Sequence, residues 1–586
     1  MILQALTSLY EALAQKGEIS KEGWSREKIS FALSIDEEGN LLRVTPLFDT
    51  VDGPKGKTRE VPQKMTVPAA VKRTSGAAAN FLWDNSSYIL GVSLKKGEDD
   101  AEREKRRNKD IKCFEACREL HHSMLDGMEY PAAKAVLNFL DKWEPQKAEE
   151  NNLVAQYAKE ILSGANMVFR FNGGYVHDDP QLASVWQKAN AKQKDNIGQC
   201  LVTGALDEIQ NTHPTIKGVQ GAQSSGAALV SFNASAFCSY NKEQNQNAPV
   251  GKYAAFAYTL NHLLADRKNV HRIGDAAVVC WAENADKQYE DFAAEVFFGD
   301  NVDKSDEQRL SALRTSLKLL ADGLPCKEMD LDPDRKFYIL GLSPNAARLA
   351  VRFFYCDSFG KIAGNIYKHH ERLEIVRPSY DKFPILPLWK LLSATVNPNA
   401  KDKTPNAAMA GAVARAVFSG GRYPASLLEC TFLRIKAERS ITRERAAIIK
   451  AYYLRNPNEK CPKEVLTVSL NENSKNIPYT LGRLFSVYEE IQQAANPGIN
   501  TTIKDRYFGS AAAMPATVFP ILSNLAQKHL RKLSDAQRVY LDKKVMTLKS
   551  VLGEQYPAHM SLPEQGSFDL GYYHQTQARY TKKEDK

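Results

Sequence analysis

The pair His177-Asp178 is the first candidate for chemistry in this sequence, because adjacent histidine and aspartate can supply two ligands to a metal ion. A metal-dependent phosphohydrolase needs further His and Asp ligands on neighbouring helices, and neither flanking segment offers an obvious set. Pro180 follows almost at once, which indicates a loop. We therefore assign no metal site here and keep a metal-dependent nuclease only as an alternative.

Other catalytic motifs are missing or misplaced. The sequence has no Gly-x-x-x-x-Gly-Lys-Ser/Thr phosphate loop. Its Gly-rich run, from Gly218 to Gly226, precedes a strand, whereas a dinucleotide-binding run follows one. Ser224 and Ser225 lack the Gly-x-Ser-x-Gly turn of a serine hydrolase. We expect the protein not to be an enzyme and to need no cofactor.

The sequence has nine cysteines, an odd number, and its N-terminus has no basic leader. Both features are typical of a cytoplasmic protein, so we expect the cysteines to be reduced thiols. Cys113, Cys117 and His121 share one face of a predicted helix, so a zinc site is geometrically possible. A second ligand pair of recognisable spacing is missing, and we interpret the three residues as a structural helix face. No run of about 18 uncharged apolar residues occurs, so we expect no membrane partner.

Cations and amide side chains indicate nucleic-acid binding instead. Residues 52–73 contain six basic residues and two acidic ones, and three prolines prevent a long helix, so we predict a basic, irregular loop. Small polar residues that follow could position phosphates, and Asn80 could read a base edge. The cations and polar residues are Lys55, Lys57, Arg59, Lys64, Lys72, Arg73, Ser75 and Asn80.

A second polar segment covers residues 213–250, which are dense in Gly, Ser, Asn and Gln and include a short apolar strand from Leu229 to Phe232. Glycines there permit close approach of the backbone to a nucleic acid. A solvated loop fits the same composition equally well. The candidate contacts are Lys217, Gln220, Gln223, Ser224, Ser225, Lys242, Gln244 and Asn247.

Basic residues also recur in the last third of the chain. They could follow a phosphate backbone, with tyrosines such as Tyr507 available to stack on bases. Ordinary amphipathic helices with cations near their C-termini are an equally good interpretation. These cations are Arg434, Lys436, Arg439, Lys504, Arg506, Lys528 and Arg531.

The elements that must position these residues follow from length and patterning. A chain of 586 residues should hold roughly two to four domains, and its net charge of +9 is compatible with a polyanionic partner. Alternation around Glu38-Gly39-Asn40 predicts a hairpin over 29–50. Patterning further predicts strands at 81–92, 276–282 and 337–342, and helices at 98–142 and 252–265.

Two further expectations concern the middle of the chain. Ser343 is predicted to cap a helix that begins at Pro344-Asn345 and runs through Arg348 and Arg352. Residues 284–335 are acidic and variable in pattern, which indicates a surface insertion.

From about residue 384 onward the sequence consists of helical segments with short breaks, for example at Gly420-Gly421 and Pro497-Gly498. The predicted fold class is therefore α+β. A mixed α/β N-terminal domain covers residues 1–383, and an all-α C-terminal helical bundle covers residues 384–586.

Several long segments together resemble one family, the large subunit of the type I-C CRISPR effector complex (Cascade). They fall in order over nearly the whole chain. The matching segments are MILQAL at the start, NFLWDNSSYILGV (80–92), the whole stretch from HPTIKGVQGAQSSG to NQNAPV (213–250), GDAAVVCWAE (274–283), YILGLSPNAARLAVRFF (338–354), the long run from YTLGRLFSVYEE to ATVFP (479–520) and GYYHQ (571–575).

The resemblance implies a non-catalytic subunit of antiviral defence that lies near the 5′ handle of the guide RNA. Its N-terminal domain would recognise the protospacer-adjacent motif in duplex DNA and help to open it, and its helical domain, which resembles the small subunit, would hold the displaced strand. The implied partners are crRNA, target double-stranded DNA, the backbone and handle-binding subunits, the small subunit and a recruited helicase-nuclease.

The resemblance also assigns roles to the candidate residues. The loop with Lys72, Arg73, Thr74, Ser75 and Asn80 becomes the main candidate for contact with the motif, joined by Lys55, Lys57 and Lys64. The 217–247 segment becomes a candidate for motif-proximal DNA or the guide handle, and the C-terminal cations for the displaced strand. A purely structural scaffold subunit remains a further alternative.

Overall fold

The computed structural model of the protein describes residues 2–52, 58–71, 73, 76–95, 97–192, 196–231, 248–299 and 307–580. Apart from the first two residues, the chain forms one compact unit from residues 3–213 and 232–258 and a second from residues 214–231 and 259–586. The predicted site residues outside the described ranges are Lys55, Lys57, Lys72, Thr74, Ser75, Lys242, Gln244 and Asn247.

The first unit is a mixed α/β structure. Its described strands are β1 (Trp24–Ile29), β2 (Phe31–Ile35), β3 (Leu41–Pro46), β4 (Phe48–Asp52), β5 (Thr58–Pro68), β6 (Trp83–Asn85), β7 (Asn166–Phe171), β8 (Gly174–Tyr175), β9 (Ile197–Gln199) and β10 (Leu206–Glu208). Its described helices are α1 (Ile2–Gln15), α2 (Ser86–Ile89), α3 (Asp100–Leu125), α4 (Pro131–Lys142), α5 (Asn152–Ala155), α6 (Ala158–Ile161), α7 (Pro180–Lys192) and α8 (Lys252–Ala257).

The larger sheet of this unit has the order β3-β2-β7-β6, with β8 beside β7, and only β2 and β7 pair in parallel. Its apolar side chains, such as Phe31 and Phe169, are fully buried together with Phe139 of α4. The hairpin predicted over 29–50 is confirmed as β2 and β3. Gly39 turns it at a φ of +82°, where a Cβ would overlap the backbone of Asn138.

The smaller sheet, β1-β5-β4, corrects one prediction. Residues 58–68 are not an irregular loop but the central strand β5, antiparallel to both neighbours. Prolines prevented a helix, as expected, but they did not prevent a strand. Pro62 lies where the partner of β5 changes from β4 to β1, and Pro68 is its last residue. The long strand predicted at 81–92 is only β6, after which Asn85 caps the short helix α2.

From residue 259 onward the second unit consists of a short helix, a four-stranded sheet with helices inserted between its strands, and then helices. Its described strands are β11 (His271–Ile273), β12 (Ala276–Ala282), β13 (Lys336–Asn345) and β14 (Arg348–Ser358). Its described helices are α9 (Leu260–Ala265), α10 (Lys287–Ala293), α11 (Glu307–Ala321), α12 (Phe359–Leu373), α13 (Leu388–Ser393), α14 (Ala407–Ser419), α15 (Ala425–Glu438), α16 (Arg443–Arg455), α17 (Ile477–Ala495), α18 (Ile503–Ala513), α19 (Pro515–Leu530), α20 (Asp535–Val551) and α21 (Leu562–Ala578).

The sheet of this unit is an antiparallel meander, β11-β12-β13-β14, and it confirms the strands predicted at 276–282 and 337–342. The helix predicted from Pro344 is wrong. Pro344 and Asn345 end β13, and Arg348 begins β14 after a tight turn in which Ala346 has a φ of +52°. The β-branched and aromatic side chains between Val351 and Tyr355 favour a strand, and pairing with β13 overrides the helix-start signal.

The other two expectations for this region also need correction. The described residues of this stretch, 284–299 and 307–335, are not a surface insertion, because Tyr289, Phe292, Phe297 and Leu317 are buried in the main core of the unit. The single helix predicted over 252–265 is split into α8 and α9, and the boundary between the two compact units runs between them.

From α12 onward all regular elements of the described residues are helices, which confirms the α+β class with a mixed N-terminal region and a helical C-terminal region. The predicted division at 383/384 falls inside the second unit, where strands and helices contribute to one core. None of the helices in the described ranges is both long and apolar enough to span a bilayer.

The helices α17 and α21 form the tightest packing in the helical region. Gly482 of α17 lies against the carbonyl of Phe568, and Gly571 of α21 lies against the carbonyl of Tyr479. A Cβ at either glycine would overlap these backbone atoms. Tyr479 and Phe485 of α17 are fully buried around this crossing. The close approach of the two backbones therefore requires glycine at both positions.

The first prediction tests this crossing. Gly571→Ala and Gly482→Ala should each lower the free energy of unfolding by about 1–3 kcal/mol or more, because the inserted methyl group forces the helices apart. The matched control is Gly509→Ala in α18, where a Cβ would meet no heavy atom within 4 Å and alanine should stabilise by about 0.5–1 kcal/mol. Denaturant midpoints measure the stability of all three variants. Equal midpoints for Gly571→Ala and the wild type would contradict the close backbone contact of α17 and α21.

Lys450 of α16 is a cation in the interior of the second unit. The residue is 3% exposed, and its Nζ donates to the carbonyl oxygens of Arg372 (3.0 Å) and Glu371 (3.4 Å) at the end of α12. Burial lowers the pKa of Lys450 to about 8, although Glu374 and Glu371 act in the opposite direction. The Lys450 amine thus binds the C-terminal end of α12, and its burial there favours the neutral form.

The second prediction follows from this lowered pKa. Between pH 8 and 10.5 the unfolded chain keeps the Lys450 proton while the folded chain releases it, so the free energy of unfolding rises with pH by up to about 1.4 kcal/mol per unit. Lys450→Met should remove this contribution between pH 8 and 9.5, whereas Lys463→Met, at an exposed position, should keep it. Urea unfolding at several pH values gives the slopes, and identical slopes for Lys450→Met and the wild type would contradict the buried charge.

Candidate nucleic-acid interface

The described part of the connection between β5 and β6 (residues 69–71, 73 and 76–82) is held together by hydrogen bonds, and we call these residues the stapled loop. Trp83 Nε1 donates to the carbonyl of Pro68 (2.7 Å) at its base. Above this bond, the backbone N–H of Val71 donates to Asn80 Oδ1 (2.9 Å). Arg73 Nε then donates to the carbonyl of Ala78 (2.7 Å). These successive bonds lead toward Gly76 and Ala77, which are exposed and which we call the tip of the stapled loop.

Asp84 lies beneath the loop on β6, and its side chain is only 1% exposed. It accepts hydrogen bonds from the backbone N–H groups of Asn80 (2.9 Å) and Asn85 (2.8 Å), and it forms an ion pair with Arg73. Burial raises the pKa of Asp84, while the two N–H groups and Arg73 oppose the rise. A buried carboxylate needs such partners, so Asp84 holds Arg73 and Asn80, on the two sides of the loop, against β6.

Tyr88 of α2 completes this arrangement. The Arg73 guanidinium carbon lies 4.0 Å from the centroid of the Tyr88 ring, within the range of a cation–π contact. The Tyr88 hydroxyl accepts a hydrogen bond from the backbone N–H of Ala78 (3.3 Å). Asp84 and Tyr88 were missed by sequence reasoning. The acidic residue inside the apolar run FLWDNSSYIL was the only signal for them.

The predicted DNA-contacting residues of the first basic segment that the structure describes lie in two places, on the stapled loop and on β5. Arg73 and Asn80 belong to the bonds of the stapled loop, and Asn80 is only 3% exposed. The side-chain oxygen of Asn80 accepts the bond from Val71 within the loop, and contact of Asn80 with a base edge stays a prediction. Lys64 is exposed on β5.

Lys28 of β1 is a second cation that sequence reasoning missed. It is exposed, and the register of β1 and β5 places it directly opposite Lys64. Like charges directly across a ladder are unfavourable. Among the described residues neither lysine forms an ion pair. The pair Lys28 and Lys64 therefore provides a site where an anion would relieve a repulsion.

Part of the second polar segment, residues 214–228, forms a compact loop in the second unit, and we call it the edge loop. Ile216 and Ala227 exchange two backbone hydrogen bonds of 2.8 Å, which close the loop. Ala228 then bonds to the carbonyl of Ala347 and accepts from the N–H of Leu349, both at 2.9 Å, beside the edge strand β14. The loop is therefore attached to the sheet, although no strand is assigned over residues 229–231.

Two side chains, Asn261 and Arg272, hold this loop in place. Asn261 of α9 accepts from the N–H of Lys217 (2.8 Å) and donates to the carbonyl of Thr215 (2.9 Å). Arg272 of β11, an exposed cation that sequence reasoning missed, donates to Gln220 Oε1 (2.7 Å). The predicted residues that the structure brings together here, all exposed, are Lys217, Gln220, Gln223, Ser224 and Ser225.

The predicted C-terminal cations lie on three helices and their ends, and α18 packs against α19. Arg434 has a side chain only 14% exposed and lies 3.7 Å from Glu438, so little of it is available to a partner. Arg506 is exposed, and its guanidinium carbon lies 5.3 Å from the centroid of the Tyr507 ring. Lys504 is half-buried, and the other exposed members are Lys436, Arg439, Lys528 and Arg531.

Of the residues considered for metal chemistry, Cys113, Cys117, His121 and His177 are buried, and Asp178 is exposed. His121 Nδ1 donates to the carbonyl of Cys117 (2.7 Å) and its Nε2 accepts from the N–H of Leu82 (2.9 Å), so both ring nitrogens serve the fold. Burial lowers the pKa of His121 to about 4, which keeps it neutral. His177 is 1% exposed, 3.6 Å from Asp178. Within the described ranges no group of three or more His, Cys, Asp or Glu residues could hold a metal ion.

Comparison with known proteins places the chain among the CRISPR-associated proteins. The family model that matches is described as CRISPR-associated protein (Cas_Csd1), and it covers residues 6–580. The chain belongs to this family. No curated protein matches the sequence.

The third prediction tests the closure of the edge loop. Gly226 has a φ of +107°, and a Cβ there would lie 2.7 Å from Cβ and Oγ1 of Thr215. Gly226→Ala should therefore open the loop and accelerate amide hydrogen exchange at Ile216 and Ala227 by about tenfold or more. Gly204→Ala is the control, because Gly204 has a φ of +77° but no heavy atom within 4 Å. Unchanged exchange at Ile216 and Ala227 in Gly226→Ala would contradict the closure.

Proposed function

We propose that this CRISPR-associated protein is the non-catalytic large subunit of a type I-C Cascade surveillance complex in the cytoplasm. It recognises the protospacer-adjacent motif in double-stranded DNA, helps to unwind the duplex and stabilises the R-loop for a recruited helicase-nuclease. Its partners are crRNA, the backbone and handle-binding subunits and the small subunit. Membership of the Cas_Csd1 family over residues 6–580 supports this assignment.

The observation that carries the proposal is the stapled loop. Reading a short motif needs a few side chains at base edges and cations that hold the phosphates in register. A loop that is ordered before binding loses less conformational entropy when it meets the duplex. The bonds at Val71–Asn80 and Arg73–Ala78 order this loop while its tip stays exposed. Its described residues therefore have the form expected of a motif-reading element.

Lys28 and Lys64 supply the complementary electrostatic element in the same unit. Two exposed cations opposite each other on β1 and β5 match a phosphate backbone better than any neutral partner. Unlike side chains on a free loop, they are held by the register of a sheet. We assign them to the phosphates that flank the motif.

The edge loop and the C-terminal cations fit the later steps. Pairing of the guide replaces one duplex with another of similar stability, so protein contacts with the backbone tip the balance. The edge loop presents Lys217, Ser224 and Ser225 on a platform fixed to β14, suited to motif-proximal DNA or to the guide handle. Arg506 with Tyr507 offers charge and a stacking surface for the displaced strand.

The fourth prediction uses the assembled complex and two duplexes that differ only in the adjacent motif. The wild-type complex should bind the duplex with the motif more tightly and should not cut it. Lys28→Ala with Lys64→Ala should weaken binding to both duplexes and reduce the slope of log affinity against log salt by about 1.8, or 0.9 for each lost phosphate contact. Lys159→Ala, an exposed lysine of α6 outside the proposed surface, is the matched control.

Each alternative gives a different result in this experiment. A structural scaffold would assemble without any preference between the two duplexes. A nuclease would cleave DNA in the presence of divalent ions and lose that activity in His177→Ala or Asp178→Ala. If the double lysine variant kept the salt slope of the wild type, β1 and β5 would not be part of the DNA-binding surface.

A further inference from the structure

We infer that Arg73 is a positioning residue that holds the stapled loop for the DNA, and that its guanidinium does not itself contact a phosphate or a base. This inference rests on the proposed function and assigns one residue a different part in it. A basic residue in a motif-reading loop would ordinarily be taken as a DNA contact. The geometry around Arg73 points to an internal role instead.

The guanidinium of Arg73 is engaged on several sides. Nε donates to the carbonyl of Ala78, one terminal nitrogen is bound to Asp84, and the planar group lies over the Tyr88 ring. The side chain is 30% exposed, although it belongs to a surface loop. These contacts use the planar, forked shape of arginine, which a lysine cannot reproduce.

Movement of Arg73 toward a phosphate would leave Asp84 without its countercharge. The Asp84 side chain is 1% exposed, and the neighbouring N–H groups of Asn80 and Asn85 are its other partners. Removing one member of a buried ion pair is strongly unfavourable, because the remaining charge is then desolvated without compensation. DNA would have to overcome this loss before it gained the contact.

The same carboxylate links the loop to the sheet. Asp84 lies on β6, which pairs with β7 at Met167, and its Oδ2 accepts from both Arg73 and the N–H of Asn80. One rigid strand therefore fixes the two sides of the loop below its tip. Loss of either Arg73 or Asp84 should release the same element.

Asp84→Asn separates the two possible roles because they predict opposite signs. If Arg73 positions the loop, Asp84→Asn releases it and should weaken binding of the motif duplex by about tenfold, as the ordering cost returns to the binding step. If Arg73 contacts a phosphate, Asp84→Asn frees the guanidinium and should leave binding unchanged or tighten it. Affinities of the assembled complex for duplexes with and without the motif decide between them.

The full test compares Asp84→Asn, Arg73→Ala, Arg73→Lys and the double variant Arg73→Ala with Asp84→Asn. We expect similar losses of motif preference in all four, no further loss in the double variant, and no rescue by lysine. The salt slope should stay at the wild-type value, since no phosphate contact is lost. A slope reduced by about 0.9 in Arg73→Ala, with Arg73→Lys restoring it, would overturn the inference.

A folding control and a functional control complete the design. Amide exchange in β6 and β7 and co-purification with the other subunits should match the wild type, so that an affinity change reflects the loop. If a variant lost both native exchange in β6 and β7 and co-purification, Tyr88→Leu would replace it. This substitution removes the ring contact and the bond to Ala78 while leaving the ion pair of Arg73 and Asp84. Tyr88→Leu should also lose motif preference, and full preference would count against the inference. A wild-type complex without motif preference refutes the proposed function, whereas wild-type preference with tight binding by Asp84→Asn refutes only the role of Arg73.

Discussion

A carboxylate that is removed from water must find partners, and this requirement at Asp84 organises the candidate interface of the first unit. The side chain is 1% exposed, and two backbone N–H groups and one guanidinium surround it. Because Arg73 and the N–H of Asn80 come from the two sides of the stapled loop, satisfying one buried charge also fixes the shape of this surface loop. The stapled loop is thus ordered by the interior of the protein, while its tip remains available to a partner.

The edge loop reaches a similar result with backbone groups in place of a buried charge. The edge strand β14 leaves the N–H of Leu349 without a partner in the sheet, and Ala228 accepts from it while donating to the carbonyl of Ala347 in the preceding turn. Gly226, at a φ of +107°, allows the chain to close between Ile216 and Ala227 before it reaches the sheet. Both loops therefore combine a polar surface with a rigid attachment, which suits recognition of a nucleic acid by a preformed site.

The helical region depends on a different constraint, the close approach of two backbones. Gly482 and Gly571 let α17 and α21 touch through main-chain atoms, and the large aromatic residues Tyr479 and Phe485 are buried around the crossing. The cations proposed to hold the displaced strand are on the outside of helices such as α18 and α19, so their placement follows from this core. A rigid interior and an exposed basic surface are compatible here because they use different faces of the same helices.

The sequence by itself determined the elements with strong local patterns: the hairpin of β2 and β3, the strands β12 and β13, and the α+β class with its helical C-terminal region. Only the tertiary structure decided where long-range pairing outweighed local signals. Residues 58–68 became a central strand although prolines suggested a loop, Pro344-Asn345 ended a strand instead of starting a helix, and the acidic 284–335 stretch buried Phe292 and Phe297. The candidate site shows the same limit, because the types of Arg73 and Asn80 are local facts, whereas their bonds depend on Asp84, Tyr88 and Val71, which only the folded chain brings within reach.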